Sequence, residues 1–369
     1  MYYADMPAKP VPPQGKLHAA ETPLFSNDDG LAGQDPWFVA PPPEEAAWEL
    51  PMPRAERRPV FSAESWRRAE AGQGRALASA AAEVARLDER LRRAPTGFAY
   101  RLALEEAEAL ARASGDLLPT GALALAEELR GRGTEEDSRR LETALWALRR
   151  LRAGQGPRPG DLAAFLGRHP RAEAGLGELA ERPEGAEFDA LAAEGEGRLG
   201  EAAGMHPLTR AALAHHSWRG IGLSAPGDLL EPGTAAALIG VAELRGGLRF
   251  LPAARTGGAA HRGSGSPDER LAPWLDGVRE ACLAGLMLIE RLEAWRDRAA
   301  AETADLSGRS PAPILDALAA APLLSAPAAA AAAGCSRSAA ERNLLLLERR
   351  GLALEVTGQG RFRLWRARQ

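Results

Sequence analysis

The chain has 369 residues, of which 26% are charged and 45% hydrophobic, an ordinary composition for a globular protein with room for two or three domains. The formal net charge is −4, and the two cysteines, Cys282 and Cys335, lie too far apart in sequence to read as a disulfide framework or a metal pattern. No early apolar segment resembles a secretory signal and no uncharged apolar run is long enough to span a bilayer, so a cytoplasmic protein without a membrane partner is expected.

Residues 1–61 read as a Pro-rich, largely extended arm. Twelve of the 28 prolines fall within residues 1–60, and little periodic pattern accompanies them. Trp37, Phe38 and Trp48 are its aromatic exceptions, expected to anchor the arm to the body or to a partner.

Helical patterning starts at Ser62, and residues 62–153 form a first helical region. Ser65–Arg93 repeats apolar positions through Leu77, Val84, Leu87 and Leu91. Gly97–Ala113, Thr120–Arg130 and Thr134–Arg152 follow, the last two each opening on a threonine suited to an N-cap. Residues 154–204 read as a loosely packed linker region. It holds a Gly/Pro turn at Gly154–Gly160, a short helix capped by Asp161 and ending at Gly167, and a stretch poor in large apolar side chains.

Residues 205–306 form a helical core, with helices over His206–Trp218 and Thr234–Arg245, a loop over Arg255–Pro267, and the longest helix over residues 269–304. Leu271, Trp274, Val278, Leu286, Ile289 and Leu292 supply that helix's apolar face. The face suits a homodimer seam and equally suits packing inside one subunit. Strand signal before residue 350 is nearly absent, so the body is expected to be all-α.

Residues 311–369 carry the clearest pattern, a winged helix-turn-helix. Helices over Ile314–Ala320 and Pro327–Ala333 lead to a Gly334-Cys335-Ser336 turn, a helix over Arg337–Arg350, and two short strands. Gly334 suits a left-handed stop and Ser336 an N-cap. Ala340, Leu344 and Leu347 share an inward face, with Ser338, Arg342 and Arg349 opposite. Leu352, Leu354 and Val356 are expected to alternate as one strand against Glu355. Residues 357–360 make a hairpin tip, and Phe362 and Leu364 return opposite Arg361 and Arg363.

From residue 311 onward eight arginines stand against four acids, so residues 1–310 carry −8. The reading places Ser336, Arg337, Ser338 and Arg342 at the groove or phosphates of double-stranded DNA, with Gln359, Arg361 and Arg363 of the wing on flanking backbone. Glu341 either reads a cytosine or pairs with a neighbouring arginine, the commoner outcome. Lys9 and Lys16 are the only lysines, which fits a high-GC genome and gives the arginines a compositional origin as well. Arg349 and Arg350 also suit a helix C-terminus on electrostatic grounds, and winged helices dock proteins too.

Signs of chemistry are sparse. There is no Gly-rich loop ending in Lys-Ser/Thr, and the Gly257–Gly265 stretch follows no strand. His215 and His216 are adjacent, so on a helix they diverge by about 100° and do not share a metal. Helix-capping or surface roles are expected for His18, His169, His206, His215, His216 and His261. No catalytic residue, metal or cofactor is assigned.

The Ala85–Leu91 run (Ala-Arg-Leu-Asp-Glu-Arg-Leu), the Glu106–Leu117 segment and the closing Thr357–Trp365 together resemble an alphaproteobacterial, rhizobial-type family. That family joins a helical domain of unknown function to a C-terminal helix-turn-helix, and the resemblance spans roughly residues 62–369. The family in turn is similar to Fic proteins, helical nucleotide transferases often followed by a winged helix. His206-Pro207 starts like the Fic signature, but Leu208-Thr209-Arg210 follows and no Gly-Asn-Gly-Arg phosphate nest is present.

The resemblance therefore implies a mainly α fold: a degenerate, Fic-like helical-bundle body with a C-terminal winged helix-turn-helix. The function expected is that of a DNA-binding transcriptional regulator. The alternatives are a protein-interaction scaffold and a diverged transferase whose pocket would gather His206, His215 and Arg219 or Arg245.

Overall fold

Apolar spacing and capping residues set most helix limits in the computed structural model of this chain, which describes residues 62–118, 121–129, 135–168, 182–255, 258–358 and 363–369. The arm at 1–61, the Thr120 and Thr134 caps, His18, His169 and residues 256–257 of the Arg255–Pro267 loop lie outside the described residues.

Ser62 caps the first helix, α1 (Ala63–Gly72), its hydroxyl accepting the Ser65 N–H at 3.2 Å. The run expected as one helix over Ser65–Arg93 is two, since α2 (Gly74–Arg93) begins beyond Gln73. Glycines on both sides of Gln73 make that break inexpensive. Then come α3 (Thr96–Ala113), α4 (Ala122–Leu129), α5 (Glu135–Ala153) and α6 (Leu162–Leu166), which Gly167 ends in the left-handed region at φ +71°. Asp161 occupies the N-cap position of α6 without a side-chain hydrogen bond.

The expectation of a loose segment up to residue 204 fails over its second half. There α7 (Gly185–Glu201) is one continuous helix burying Phe188 and Ala192. Gly195 lets it approach α8 (Pro207–Ile221), where a Cβ would sit 3.2 Å from Ile221 Cδ1. Close packing through small residues thus replaces the large apolar side chains the segment lacks.

The helix expected over Thr234–Arg245 is displaced: α9 spans Leu230–Ile239, and the chain then doubles back so that Leu251 N–H reaches the Ala237 carbonyl at 2.8 Å. Within the expected loop lies a short helix, α10 (Ala259–Arg262).

The long helix α11 (Pro267–Glu302) is the spine of the molecule. Ser266 and Glu269 close a reciprocal capping box at its start, and Leu271, Trp274, Val278, Ile289, Leu292 and Trp295 are buried along it. By contrast α8 and α9 are buried on nearly every face, as core helices are.

After the spine come α12 (Pro311–Ala320), β1 (Leu324–Ser325), α13 (Ala326–Ala333), α14 (Arg337–Arg349), β2 (Ala353–Glu355) and β3 (Leu364–Ala367). The strands form one antiparallel sheet in the order β1-β3-β2. Among the described residues the fold is mainly helical, and no helix is long and apolar enough to cross a membrane.

This C-terminal unit is fastened to the helices before it. Arg101 of α3 donates to the carbonyls of Leu318 and Ala319 at 2.7 Å and of Ala321 at 2.5 Å, taking up the free carbonyls at the end of α12. Gly97 meets Ala320 so closely that a Cβ there would fall 2.4 Å from Ala320 Cβ. Trp295 Nε1 donates to the Leu352 carbonyl at 3.1 Å, Arg296 pairs with Asp316, and Arg350 grips Asp305 with two nitrogens at 2.6 and 2.7 Å.

Candidate nucleic-acid interface

The alanines of α13 let α14 lie close against it, with Ala326, Ala329 and Ala330 buried between them and the sheet. Gly334 ends α13 at φ +58°. The Cys335 N–H bonds the Ala330 carbonyl at 3.0 Å, and the Gly334 N–H bonds that of Ala331. This pair of bonds is the Schellman arrangement, which a residue with a Cβ closes less easily. Ser336 then caps α14, its hydroxyl accepting the Ala339 N–H at 3.2 Å. Cap, turn and cap fix the angle at which α14 leaves α13.

Ala340, Leu344 and Leu347 seal the inner face of α14 at 0–1% exposure. Ser336, Arg337, Ser338, Arg342 and Arg349 are exposed. Arg337, Arg342 and Arg349 have no hydrogen-bond or ion-pair partner among the described residues. Glu341 is half-buried and also makes no ion pair there, so the arginine partner expected for it is not found. Arg350 differs from its neighbour, since its guanidinium is spent on Asp305.

In the hairpin, Glu355 accepts the Thr357 N–H at 2.8 Å, the Thr357 hydroxyl, and the Gly358 N–H at 3.0 Å. Burial works to raise its pKa, but these hydrogen bonds hold the carboxyl below its ordinary value. Gln359, Arg361 and Phe362 lie outside the described residues. Arg363 is half-buried and its side chain is engaged.

The expected alternation in β2 is not what forms. Leu352 and Ala353 are buried, whereas Leu354 and Val356 are 37% and 40% exposed. Leu352 sits in the turn before the strand, bonded back to Leu347, so the strand starts one residue later and its faces exchange. Across the sheet Leu354 pairs with Arg366, which is exposed and has no partner among the described residues. Sequence reasoning passed over Arg366 because it lies beyond the strong Phe362/Leu364 pattern.

The histidines divide. His206 caps α8, its ring Nδ1 accepting the Leu208 N–H at 3.2 Å, as expected for a helix start. His215, His216 and His261 instead are buried, correcting the surface role given to them. The His215 ring stands 5.0 Å from His216 and 4.8 Å from His261 by centroids, with Trp66 stacked on His216 and Trp274 against all three. His215 Nε2 lies 2.8 Å from the His261 carbonyl, which also accepts from Arg219.

Burial lowers the His215 pKa to about 4. His216 and His261 are also lowered well below the ordinary value, by burial first and then by neighbouring His215 and Arg219. Among the described residues no group of histidine, cysteine, aspartate or glutamate is arranged to hold a metal ion. Of the residues considered for a transferase pocket, His215 and Arg219 meet at the His261 carbonyl. His206 begins α8 and lies about 13 Å from His215 along it, at 1.5 Å per residue, while Arg245 is exposed in the irregular chain beyond α9.

No protein-family model matches the chain, and comparison with curated proteins finds no significant match.

Proposed function

We propose that the C-terminal unit is a winged helix-turn-helix through which the protein binds double-stranded DNA as a transcriptional regulator. The observation that carries this reading is the exposed start of α14. Ser336, Arg337, Ser338 and Arg342 stand clear of neighbours on a helix held by caps at a fixed angle to α13. A helix presented in this way suits a major groove, and unpaired guanidiniums suit phosphates and guanine edges. The element order α12-β1-α13-α14-β2-β3, with β3 central in the sheet, is in keeping with a winged unit.

The degenerate Fic-like ancestry of the body rests on the sequence resemblance alone, and no catalysis is proposed.

A double substitution tests the reading. Arg337→Ala with Arg342→Ala is expected to weaken binding to duplex DNA at least tenfold, about 1.4 kcal/mol, while the melting temperature stays near wild type. Unchanged affinity would remove α14 as the recognition helix. One observation favours a second reading, docking of a protein: Leu354 and Val356 present apolar surface on β2 and just after it. Leu354→Ser combined with Val356→Ser separates the two, since it leaves DNA affinity intact on the first reading and abolishes partner capture on the second.

A further inference from the structure

The body contains a cavity of about 540 Å³, bounded by the turn before α6 and by α7, α8 and α9. Its volume lies within the usual range for small-molecule sites. Leu162, Leu199, Leu223, Ile239 and the Trp218 ring give it apolar walls.

The wall carrying Trp218 is held rigidly. The indole N–H donates to Ser224 Oγ at 2.7 Å, and Ser224 donates to Glu231. Glu231 in turn pairs with Arg168 at 2.5 Å, with both side chains only 10% exposed. Arg168 also donates to the Leu223 carbonyl at 3.0 Å. A ligand therefore meets a preformed surface.

Two side chains in the lining carry buried polar atoms without hydrogen-bond partners among the described residues. Ser217 is 2% exposed and its hydroxyl has no hydrogen-bond partner. A buried hydroxyl left unsatisfied is unfavourable unless something arrives to bond it. Arg210 spends one guanidinium nitrogen on Glu243, at 2.9 Å, and its buried Nε has no partner. Arg158 is exposed and free of ion pairs among the described residues. The one acid in the lining, Glu196, accepts the Gly160 N–H at 2.7 Å. Cations thus outnumber acids around an apolar space with two buried polar atoms unpartnered.

We propose that this cavity binds a small apolar carboxylic acid, its hydrocarbon or aromatic body against Trp218, Leu199 and Ile239 and its carboxylate within reach of Ser217, Arg158 and Arg210. The inference is independent of the DNA reading, because the measurement contains no DNA.

The test is calorimetric titration of the full chain with octanoate, with octanol and acetate as controls, and as a second signal a tryptophan fluorescence change that is lost in Trp218→Phe. Octanoate is expected to bind saturably, octanol at least tenfold more weakly, and acetate undetectably. Octanol tests the charge and acetate the apolar body.

Arg158→Ala with Ser217→Ala should weaken octanoate about tenfold and octanol far less. Arg158 is exposed, and alanine removes the unsatisfied hydroxyl without adding volume in a buried helix, so this variant should fold. Gly200→Leu gives a second check. Gly200 borders the cavity and a Cβ there meets no atom within 4 Å, so a longer side chain has room to start and leucine favours the helix; its bulk at the cavity edge should reduce the affinity for both ligands. Absence of saturable octanoate binding, equal affinity for octanol, or undiminished binding in the double variant would each overturn the proposal.

Discussion

His216 shows what burial does to a single titratable group. Its ring stacks on Trp66, with Arg270 Nη1 3.4 Å from its Nδ1 and no partner for its Nε2. Burial, with His215, Arg270 and Arg219 close by, keeps it neutral far below its ordinary pKa. In the unfolded chain a histidine takes up its proton near pH 6.5. Between that value and the depressed folded value the unfolded state binds more protons, so stability from this group is full above about pH 6.5 and is lost as pH falls.

Glu106 and Asp228, raised by burial to about 7 and about 6, work in the opposite direction, so a whole-protein pH profile would blur the effect. The difference between wild type and His216→Phe isolates it. Measured by urea unfolding, that difference should move by about 2 kcal/mol in favour of the variant from pH 8 to pH 5, from about 1.4 kcal/mol per pH unit. A difference that does not change with pH would contradict the neutral buried ring.

At the scale of the element, the junction between α13 and α14 depends on two residues. Gly334→Ala forces a Cβ into a left-handed conformation and is expected to lower stability by about 1 kcal/mol. Ser336→Ala removes the bond to Ala339 N–H and should lower it by a similar amount, about 1 kcal/mol. Urea titrations of both variants check these values, and neutrality of both would mean that the turn is not held as described.

This junction was legible in the sequence because its signals are local: a glycine after an apolar run, then a serine before one. The inner face of α14 was legible for the same reason, through the spacing of Ala340, Leu344 and Leu347. What escaped the sequence depends on tertiary contacts. Leu354 faces out because Leu352 is drawn into the turn after α14, and no residue within the strand announces that. α7 packs closely on α8 where Gly195 lies against Ile221, a contact remote in sequence. His215 and His216 are buried because α8 is enclosed on nearly every face, although its composition suits a surface helix equally well. The cavity beside Ser217 left no sequence signal, since its lining comes from four separate segments.

For the molecule as a whole, α11 joins the two parts that the sequence divides near residue 307. Trp295, Arg296 and the end of the spine contact the C-terminal unit, and Arg101 reaches the same unit from α3. The protein should therefore unfold in one calorimetric transition. Arg101→Met, which strips the carbonyls ending α12 of their donor, should lower stability by about 2 kcal/mol. A separate low-temperature transition belonging to residues 311–369 in the wild type would contradict this coupling.

Such an attachment holds the exposed arginines of α14 on a heavy body rather than on a tether, and sets the +4 of residues 311–369 against the −4 that residues 62–310 carry. The central proposal, that this face meets DNA, is tested most directly by selecting bound fragments from sheared genomic DNA with the purified chain at two salt concentrations and sequencing them. The account predicts enrichment of a shared motif and affinity that falls steeply as salt rises, with the slope reduced in the Arg337→Ala, Arg342→Ala variant. Recovery of no motif, with no salt-sensitive binding at either concentration, would contradict it.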